Sequence, residues 1–401
     1  MVLSATQAGA VLVFMNYAGA MPLLQAEWGL SNAQSGAIQS AGQFGYVIAV
    51  LIVSSLADYI DAKKIIVSGA VWAGVFNLLF AGFAYDTGSA SVLRMMIGLG
   101  IAGIYMPGLK LISQKIPSDQ RGRAVGLFVA SFTLASGISI TLSGNLASIL
   151  GWRVAFGLAS LGPLLGALAS WRLLPRSVPE TKSVEGSRPM KDLVHNRQAV
   201  AVILIYVFHA WEVLGLRSWL TAYLTSVRIN EGASLAEAIR AGATMAGLAT
   251  LLAAFATASI GAISDRTDRL RAIIRVTATS FVFVMALGFS LNYPWLLVIL
   301  VSLGAVFMTN ADSAVISTKL TEVVPGDYLG RTLAVYSFLG FAAGSISPLV
   351  FGAVLDIAGD IDRLGAPWSL AFATLAIGSL AGLLIAIGLR RREKVMEKPV
   401  E

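Results

Sequence analysis

The sequence has no cysteine and very little histidine. With 0 Cys it can form no disulfide, no thiolate metal site and no cysteine nucleophile, although this leaves the redox compartment open. Its 2 His, His195 and His209, are too few for a histidine-based metal centre. Nucleophile triads, phosphate-binding loops and clusters of metal ligands are also missing from the sequence. We therefore expect neither an enzyme, nor a bound cofactor or metal, nor an ATP-driven pump.

Charge is scarce as well. Only 13% of the residues are charged and 56% are hydrophobic, with a mean hydropathy of +0.77. A helix needs about 20 mostly apolar residues to cross a hydrocarbon core of about 30 Å, and such runs recur almost without pause. They are continuous rather than alternating, which favours helices over barrel strands. The sequence predicts an all-α membrane protein with twelve transmembrane helices.

The predicted spans follow one another closely along the chain. The first has no basic segment before it and no cleavage site, so we expect it to remain as an uncleaved helix. The twelve spans are 8–26, 35–57, 64–85, 91–114, 122–149, 152–174, 198–227, 238–264, 271–291, 294–320, 330–357 and 366–389.

The basic residues separate cleanly between alternate loops. Of the 29 Lys and Arg, 22 lie on one side of the predicted membrane, 4 lie on the other and 3 lie inside spans. This asymmetry predicts that both termini are cytoplasmic, because Lys and Arg accumulate in cytoplasmic loops. A net charge of +7 could otherwise indicate nucleic acid, but its spread over short loops argues for a membrane topology instead.

The two halves of the chain repeat each other. Residues 54–64 match residues 261–271 at an offset of 207, and residues 116–123 match residues 324–331 at an offset of 208. Between the halves lies a polar segment rich in proline and charge, typical of a flexible linker. We predict a six-helix bundle at 1–174, a cytoplasmic linker at 175–197, a second bundle at 198–392 and a tail at 393–401. Two parallel halves suit a transporter that opens a central site to either side alternately.

Several motifs in these repeats carry a family resemblance. The pattern Gly-x-Leu-x-Asp-Arg-x-Gly-Arg-Lys is matched in part at Ser54, Leu56, Asp58 and Lys63, and again at Gly261, Asp265, Arg266 and Arg269. An Arg-x-x-x-Gly pattern begins at Arg94, and a Pro-x-x-x-Arg-Gly-Arg turn begins at Pro117. In this order, and over nearly the whole chain, the sequence resembles the major facilitator superfamily of secondary transporters. The resemblance implies the fold of that family and transport by alternating access.

The resemblance also implies a cytoplasmic gate. Family members use carboxylates after the second and eighth helices to latch neighbouring helices through arginine in the outward-open state. We assign Asp58 and Asp265 to this gate, away from the substrate, with Arg123 and Arg331 as candidate partners. Both halves depart from the motif where its second glycine is expected, since Asp61 and Asp268 stand there.

The closer branch is indicated by the fifth and seventh helices. Drug/proton antiporters of the family usually carry Gly-Pro-x-x-Gly-Gly in the fifth helix, and that proline is absent here. The runs 105–110 and 209–219 look more like bacterial nitrate, cyanate or monocarboxylate facilitators. The glycine-rich signature segments of the nitrate family are missing.

Few ionisable residues lie inside the spans. Each costs about 2.5–3.5 kcal/mol on insertion scales, so they tend to face partners or a water-filled cavity. Arg217 could hold an anion through two parallel hydrogen bonds, with a structural ion pair as the alternative. Lys110 follows the helix-breaking pair Pro107 and Gly108, which supports a cavity-lining role, and snorkelling to the interface is the alternative.

The remaining candidates concern protons and uncharged contacts. Glu212 and Asp312 are candidate proton-coupling carboxylates, with a buried salt bridge as the alternative for Asp312. The family links the fourth-helix arginine, Arg94, to proton coupling, and a packing role is the alternative. With Arg217 and Lys110, the predicted substrate-binding set also contains Asn16, Tyr17, Gln43, His209 and Asn310.

The sequence thus predicts a secondary active transporter that moves a small organic or inorganic anion, coupled to protons, and that works as a monomer in the bilayer of a bacterial inner membrane. A proton-coupled exporter of drugs or amphipathic metabolites is the first alternative, favoured by the large apolar fraction. A receptor or assembly factor that kept the fold without transport is the second, and the retained gate loops argue against it.

Overall fold

The computed structural model describes residues 1–176, 191–325, 328–359 and 366–396, and across these ranges the chain forms helices and short turns without a strand. The helices are α1 (Val2–Trp28), α2 (Asn32–Tyr59), α3 (Ala62–Phe83), α4 (Thr87–Lys115), α5 (Ser118–Leu150), α6 (Trp152–Ala159), α7 (Leu161–Leu173), α8 (Lys191–His195), α9 (Arg197–Asn230), α10 (Leu235–Ser264), α11 (Arg269–Gly288), α12 (Trp295–Ala311), α13 (Ser313–Val323), α14 (Leu329–Gly359) and α15 (Ala366–Met396).

The prediction of twelve spans is confirmed. The described chain has 12 helical stretches long and apolar enough to cross a membrane, and each overlaps one predicted span. Their outward faces are apolar: Phe255, Ile377 and Leu384 are 65%, 63% and 61% exposed. Continuous exposed apolar surface of this kind is stable only against lipid.

Two of the spans are each made of two helices. In the sixth span, helical bonding stops at Ser160 between α6 and α7. Pro163 has no N–H, so the carbonyl of Ala159 loses its donor in the next turn. In the tenth span, the break falls at Asp312, between α12 and α13. No proline or glycine accompanies this second break, so the local sequence does not announce it.

Several helices begin where the sequence supplies a cap. Ser31 and Gln34 form a reciprocal capping box at the start of α2, and Asp86 and Ser89 form another at the start of α4. The hydroxyl and backbone N–H of Ser89 hold the pKa of Asp86 below its ordinary value. These side chains satisfy backbone donors that a helix N-terminus leaves without intrahelical partners.

The expected break at Pro107 and Gly108 is wrong. Helix α4 continues through both residues to Lys115. A proline removes one helical hydrogen bond, but its fixed φ is helical, so the bonds on either side can carry the helix through. Gly108 serves packing instead: a Cβ there would lie 2.6 Å from the ring of Phe128 on α5.

The region between the two halves contains a short helix. The one-turn helix α8 occupies Lys191–His195, inside the predicted linker, and α9 begins at Arg197. Residues 177–190 of that linker lie outside the described part of the chain. At the other end, α15 continues to Met396, so the predicted tail begins as helix.

Glycines allow helices to pack closely in the first half. On α2, a Cβ at Gly45 would overlap the carbonyl oxygen of Met95 on α4. On α4, a Cβ at Gly98 would overlap the carbonyl oxygen of Gly42. Close backbone approach of this kind replaces the hydrophobic effect as a source of helix association in lipid.

The chain divides into two compact units. Unit 1 comprises Met1–Ser183 and Arg217–Leu251, and unit 2 comprises Val184–Leu216 and Leu252–Glu401. Within unit 1, α5 packs on the first part of α10, where Asn145 Nδ2 donates to Thr244 Oγ1 at 3.0 Å. The predicted division at 174 and 198 assigns Arg217–Leu251 to the second bundle, and it stays a prediction.

Candidate functional site

A carboxylate and an imidazole lie together in the interior of unit 2. His209 Nδ1 on α9 is 2.9 Å from Asp312 Oδ1, and the two side chains are only 7% and 5% exposed. Thr277 Oγ1 donates to the other oxygen, Asp312 Oδ2, at 3.2 Å, and Ser313 Oγ lies 2.8 Å from His209 Nε2. At this distance His209 Nδ1 and Asp312 Oδ1 form an ion pair when the imidazole is protonated.

A second carboxylate lies on α9, one helical turn from His209. Glu212 follows His209 by three residues, so the two side chains share one face of α9. Ser280 Oγ on α11 donates to Glu212 Oε1 at 2.8 Å, and Glu212 is 3% exposed. We call His209, Glu212 and Asp312 the acidic cluster.

The local fold explains how the acidic cluster is assembled. Asp312 sits at the break between α12 and α13 with φ −93° and ψ −5°, where helical bonding is interrupted. Interrupted helices in transporters commonly bear ion or substrate sites. Next to His209, the rings of Tyr206 and Tyr336 stack at 3.7 Å, and Tyr206 lies 5.9 Å from the imidazole. Tyr206 thus covers one side of the imidazole, and Tyr336 packs on Tyr206.

The sequence interpretation separated residues that the structure brings together. It placed His209 among the substrate contacts and gave Glu212 and Asp312 to the proton. In unit 2 all three form one buried group with hydroxyl neighbours. Buried groups that change charge near neutral pH are suited to carrying protons, and imidazole is the side chain whose ordinary pKa lies in that range.

A different polar network occupies the interior of unit 1. Arg94 on α4 is 1% exposed and donates to α1 at three acceptors: Val13 O at 2.9 Å, Phe14 O at 2.7 Å and Asn16 Oδ1 at 3.1 Å. Its guanidinium lies 5.6 Å from the ring centre of Tyr17. Among the described residues it forms no ion pair with a carboxylate.

The network continues from Asn16 into α3 and the sixth span. Asn16 Nδ2 donates to Asn77 Oδ1 at 3.0 Å, and Asn77 Nδ2 donates to Ser160 Oγ at 2.9 Å. Ser160 is the residue at the break between α6 and α7. Asn16 therefore links Arg94 to three other elements of unit 1. The packing alternative for Arg94 is the one that this geometry favours.

We expect Arg94→Lys to destabilise the protein. An ammonium cannot reproduce two guanidinium arms on three acceptors, and a hydrogen bond to a charged group contributes about 1.5–3 kcal/mol. The free energy of unfolding should fall by roughly 2–4 kcal/mol. The thermal unfolding midpoint in detergent measures this, with Arg240→Lys at an exposed position of α10 as the matched control. Equal midpoints for both variants would contradict a structural role.

Buried acceptors line a face of α2 and α9 in unit 1. Gln43 Nε2 donates to Ser218 Oγ at 3.5 Å. Gln39 Oε1, Gln43 Oε1 and Thr221 Oγ1 are buried, and each has no hydrogen-bond partner among the described residues. Buried polar atoms without partners are rare in proteins, and a ligand that offers hydroxyl donors would satisfy them.

The other predicted substrate contacts are dispersed. Arg217 precedes Ser218 on α9 and is partly buried, as is Lys110 on α4. The side-chain Nδ2 of Asn310 donates to Val306 O of the same helix at 2.9 Å, and its backbone carbonyl accepts from Thr257 Oγ1 of α10 at 2.9 Å. No group of three or more His, Asp or Glu within the described ranges is arranged to hold a metal ion.

Comparisons with known proteins place the chain in a family. The model of the Major Facilitator Superfamily matches residues 3–348. This chain belongs to the Major Facilitator Superfamily. It is 25% identical over 406 aligned residues to a probable sulfoacetate transporter of Cupriavidus necator, covering 92% of this chain and 89% of that protein. It is 26% identical over 400 residues to a gallate transporter of Pseudomonas putida, covering 90% and 85%.

Solved structures agree on the fold. A D-xylose–proton symporter superposes with a TM-score of 0.75 at 18% identity, covering 97% of this chain and 96% of that one. The predicted family, the twelve-helix fold and the expectation that the chain is not an enzyme are therefore confirmed. As a Major Facilitator Superfamily protein of this architecture, it is a multi-pass membrane protein and a secondary transporter.

The family's gate motif in the second half has a defined geometry. Arg269 pairs with Asp265 at 2.9 Å and also with Glu322 on α13. Asp265 is thus held by the next helix in this structure, and its pairing with Arg331 in another state stays a prediction. In the first half, the side chain of Asp58 lies outside the described part, and Arg123 is exposed.

The residue that replaces the motif's second glycine has a role of its own. Asp268 accepts a hydrogen bond from Arg390 Nε on α15 at 3.0 Å and from the backbone N–H of Arg271 at 3.1 Å. Partial burial alone would raise the pKa of Asp268, but these donors outweigh it and hold the pKa below its ordinary value. This departure from the family pattern thus caps α11 and ties it to α15.

Proposed function

We propose that this transporter moves a small organic anion together with protons, and that the acidic cluster of unit 2 carries the proton. The supporting observation is the buried contact between His209 and Asp312, with Glu212 one turn away. The relatives named for sulfoacetate and gallate support the substrate class, since both compounds are organic anions.

Arg217 is the proposed anchor for the anionic group. A guanidinium can hold a carboxylate or sulfonate through two parallel hydrogen bonds, and it keeps its charge at every physiological pH. The neighbouring buried acceptors on Gln39, Gln43 and Thr221 suit a substrate that also carries hydroxyl groups. Lys110 supplies a second positive charge in the same unit.

Coupling follows from charge compensation. Arg217 offers a positive charge inside a span, and the bound anion balances it. Each anion that crosses adds negative charge to the transported species, and a proton carried by the acidic cluster offsets that charge. Anion and proton then cross together, which makes the cycle sensitive to a proton gradient.

Uptake into proteoliposomes tests this proposal directly. With an acidic exterior, purified protein should accumulate an aromatic hydroxy acid or a small sulfonate against its gradient, and a protonophore should abolish the accumulation. Accumulation of lipophilic cations instead would favour the drug-exporter alternative. If the anion only equilibrates across the membrane, whatever the proton gradient, the proposal of proton coupling is wrong.

We also propose that both termini face the cytoplasm of a bacterium and that the protein lies in the inner membrane. The chain is free of cysteine, so single cysteines report position cleanly. Ser234→Cys, at the exposed start of α10, should react with a membrane-impermeant maleimide in intact cells. Ser187→Cys, outside the described residues, should react only after permeabilisation. Equal labelling of both in intact cells would reverse this proposal.

A further inference from the structure

A cavity of about 950 Å³ opens where α9 begins and α15 approaches its end. Arg197, Arg391 and Arg392 line it on the polar side, and Ala201, Ile385 and Leu389 line it on the apolar side. All of these residues belong to unit 2. The lining of the cavity thus contains both basic and apolar side chains, and it lies at the ends of two membrane spans.

No carboxylate of the described residues balances the charge of this cavity. Nearby basic residues are paired: Arg390 with Asp268 at 3.0 Å and Lys319 with Glu393 at 2.9 Å. By contrast, Arg197, Arg391 and Arg392 are exposed and form no ion pair with a carboxylate among the described residues. Three cations without an acidic partner in the described ranges therefore line this cavity.

The start of α9 adds to the positive potential. Asn196 Oδ1 accepts from the backbone N–H of Ala199 at 3.0 Å, which satisfies one of the four donors that a helix N-terminus exposes. Asn196 Nδ2 is held by Val323 O at 2.9 Å, so the cap is fixed in place. Residues 197 and 198 line the cavity, and the dipole of a 34-residue helix places partial positive charge there.

The apolar wall decides what kind of anion fits. A free phosphate would gain nothing from Ala201, Ile385 and Leu389, whereas an acyl chain would bury against them. On α15, Gly388 lies three residues after Ile385 and three before Arg391, and a Cβ there would meet nothing within 4 Å. Its bare backbone leaves room for a chain to lie along the helix.

We propose that this cavity binds the headgroup of an anionic phospholipid, with the phosphate held by Arg197, Arg391 and Arg392 and one acyl chain lying over Ala201, Ile385 and Leu389. Basic pockets between transmembrane helices near the headgroup region recognise lipids of this charge. The site is separate from the acidic cluster and requires neither substrate nor proton. It gives the start of α9 and the end of α15 a common ligand.

Native mass spectrometry of the purified protein tests the site. Phosphatidylglycerol and phosphatidylcholine with identical acyl chains are titrated in parallel. We expect phosphatidylglycerol to bind with higher affinity. Replacing one arginine by glutamine should weaken that binding about five-fold, and replacing all three should weaken it about a hundred-fold. Phosphatidylcholine binding should change little in these variants.

The controls separate this cavity from general surface charge. Arg172→Gln removes an exposed positive charge at the end of α7 and should leave phosphatidylglycerol binding unchanged. Gly388→Trp should fill the groove and reduce binding at least ten-fold, whereas Gly82→Trp, at another glycine with open space on α3, should not. A thermal unfolding midpoint like that of the wild type shows that each variant is folded.

Competition by soluble glycerol 3-phosphate tests whether the cavity binds a whole lipid or only a phosphate group. We expect it to compete weakly, because it lacks the acyl chain. If it competes as well as phosphatidylglycerol, the occupant is a soluble phosphate and the lipid proposal is wrong. The proposal is also overturned if the triple arginine variant binds phosphatidylglycerol like the wild type, or if Arg172→Gln weakens binding as much as Arg391→Gln.

Discussion

Asp312→Asn is expected to abolish accumulation of the anion driven by a proton gradient while leaving anion exchange across the membrane intact. Asparagine keeps the shape and can still accept from Thr277, but it cannot take up a proton or balance His209. Proton-driven accumulation should fall at least ten-fold, whereas counterflow, which needs no net proton movement, should stay within about two-fold of wild type. Parallel assays on the same proteoliposomes measure both.

The second carboxylate gives a stricter form of this prediction. With Glu212→Gln and His209→Gln added to Asp312→Asn, anion binding should persist but lose its dependence on pH between about 5 and 8, because no titratable group of the acidic cluster remains to take up a proton. Glu237→Gln, at the exposed start of α10, is the matched control and should behave as wild type. Unchanged pH dependence in the triple variant would move the proton site away from the acidic cluster.

Arg217→Lys is expected to weaken anion binding by about ten- to a hundred-fold without unfolding the protein. The ammonium keeps the charge but loses the paired geometry, and a charge-assisted hydrogen bond contributes about 1.5–3 kcal/mol. Isothermal titration with the best-transported anion measures the change. Arg228→Lys is the control on the same helix, where the partly exposed arginine pairs with Glu231.

Two results would contradict the proposal that Arg217 anchors the anion. If Arg217→Lys binds and transports normally, the anion is held elsewhere, and Lys110 is the next residue to replace. If the best ligand is a cation or a neutral amphipathic compound, the organic-anion proposal fails and the exporter alternative takes its place. A lower thermal midpoint alone would leave the binding comparison to be made at a lower temperature, where the variant is folded.

The spans were predictable because lipid imposes a length and a composition that can be read locally. The capped starts of α2 and α4 follow from the same local chemistry. Arg94 shows the limit of prediction from local sequence. An arginine inside a span predicts a partner, but the sequence does not reveal that backbone carbonyls of α1 are among its partners. Pro107 did not break α4 as predicted, because the effect of a proline depends on whether the neighbouring turns can continue the helix past one missing hydrogen bond.

The residues of the acidic cluster could be predicted from the sequence one by one, but their contacts could not. Glu212 and Asp312 are conspicuous as carboxylates in apolar runs, and His209 lies one turn from Glu212. Their assembly depends on the break at Asp312, which has no proline or glycine to mark it, and on the packing of α11 against them. Those are tertiary facts, and a single sequence contains no signal for the contact between His209 and Asp312.

The order in which partners are synthesised differs between the two polar networks. The acceptors for Arg94 lie on α1, which leaves the ribosome before α4 does, so they are already in the bilayer when the arginine arrives. On α9 the order is reversed: His209 and Glu212 precede Thr277, Ser280 and Asp312. During biogenesis, α9 must therefore keep its polar face against water or the insertion machinery until α11 and α13 follow, and the second half of the chain can complete its interior only late in translation.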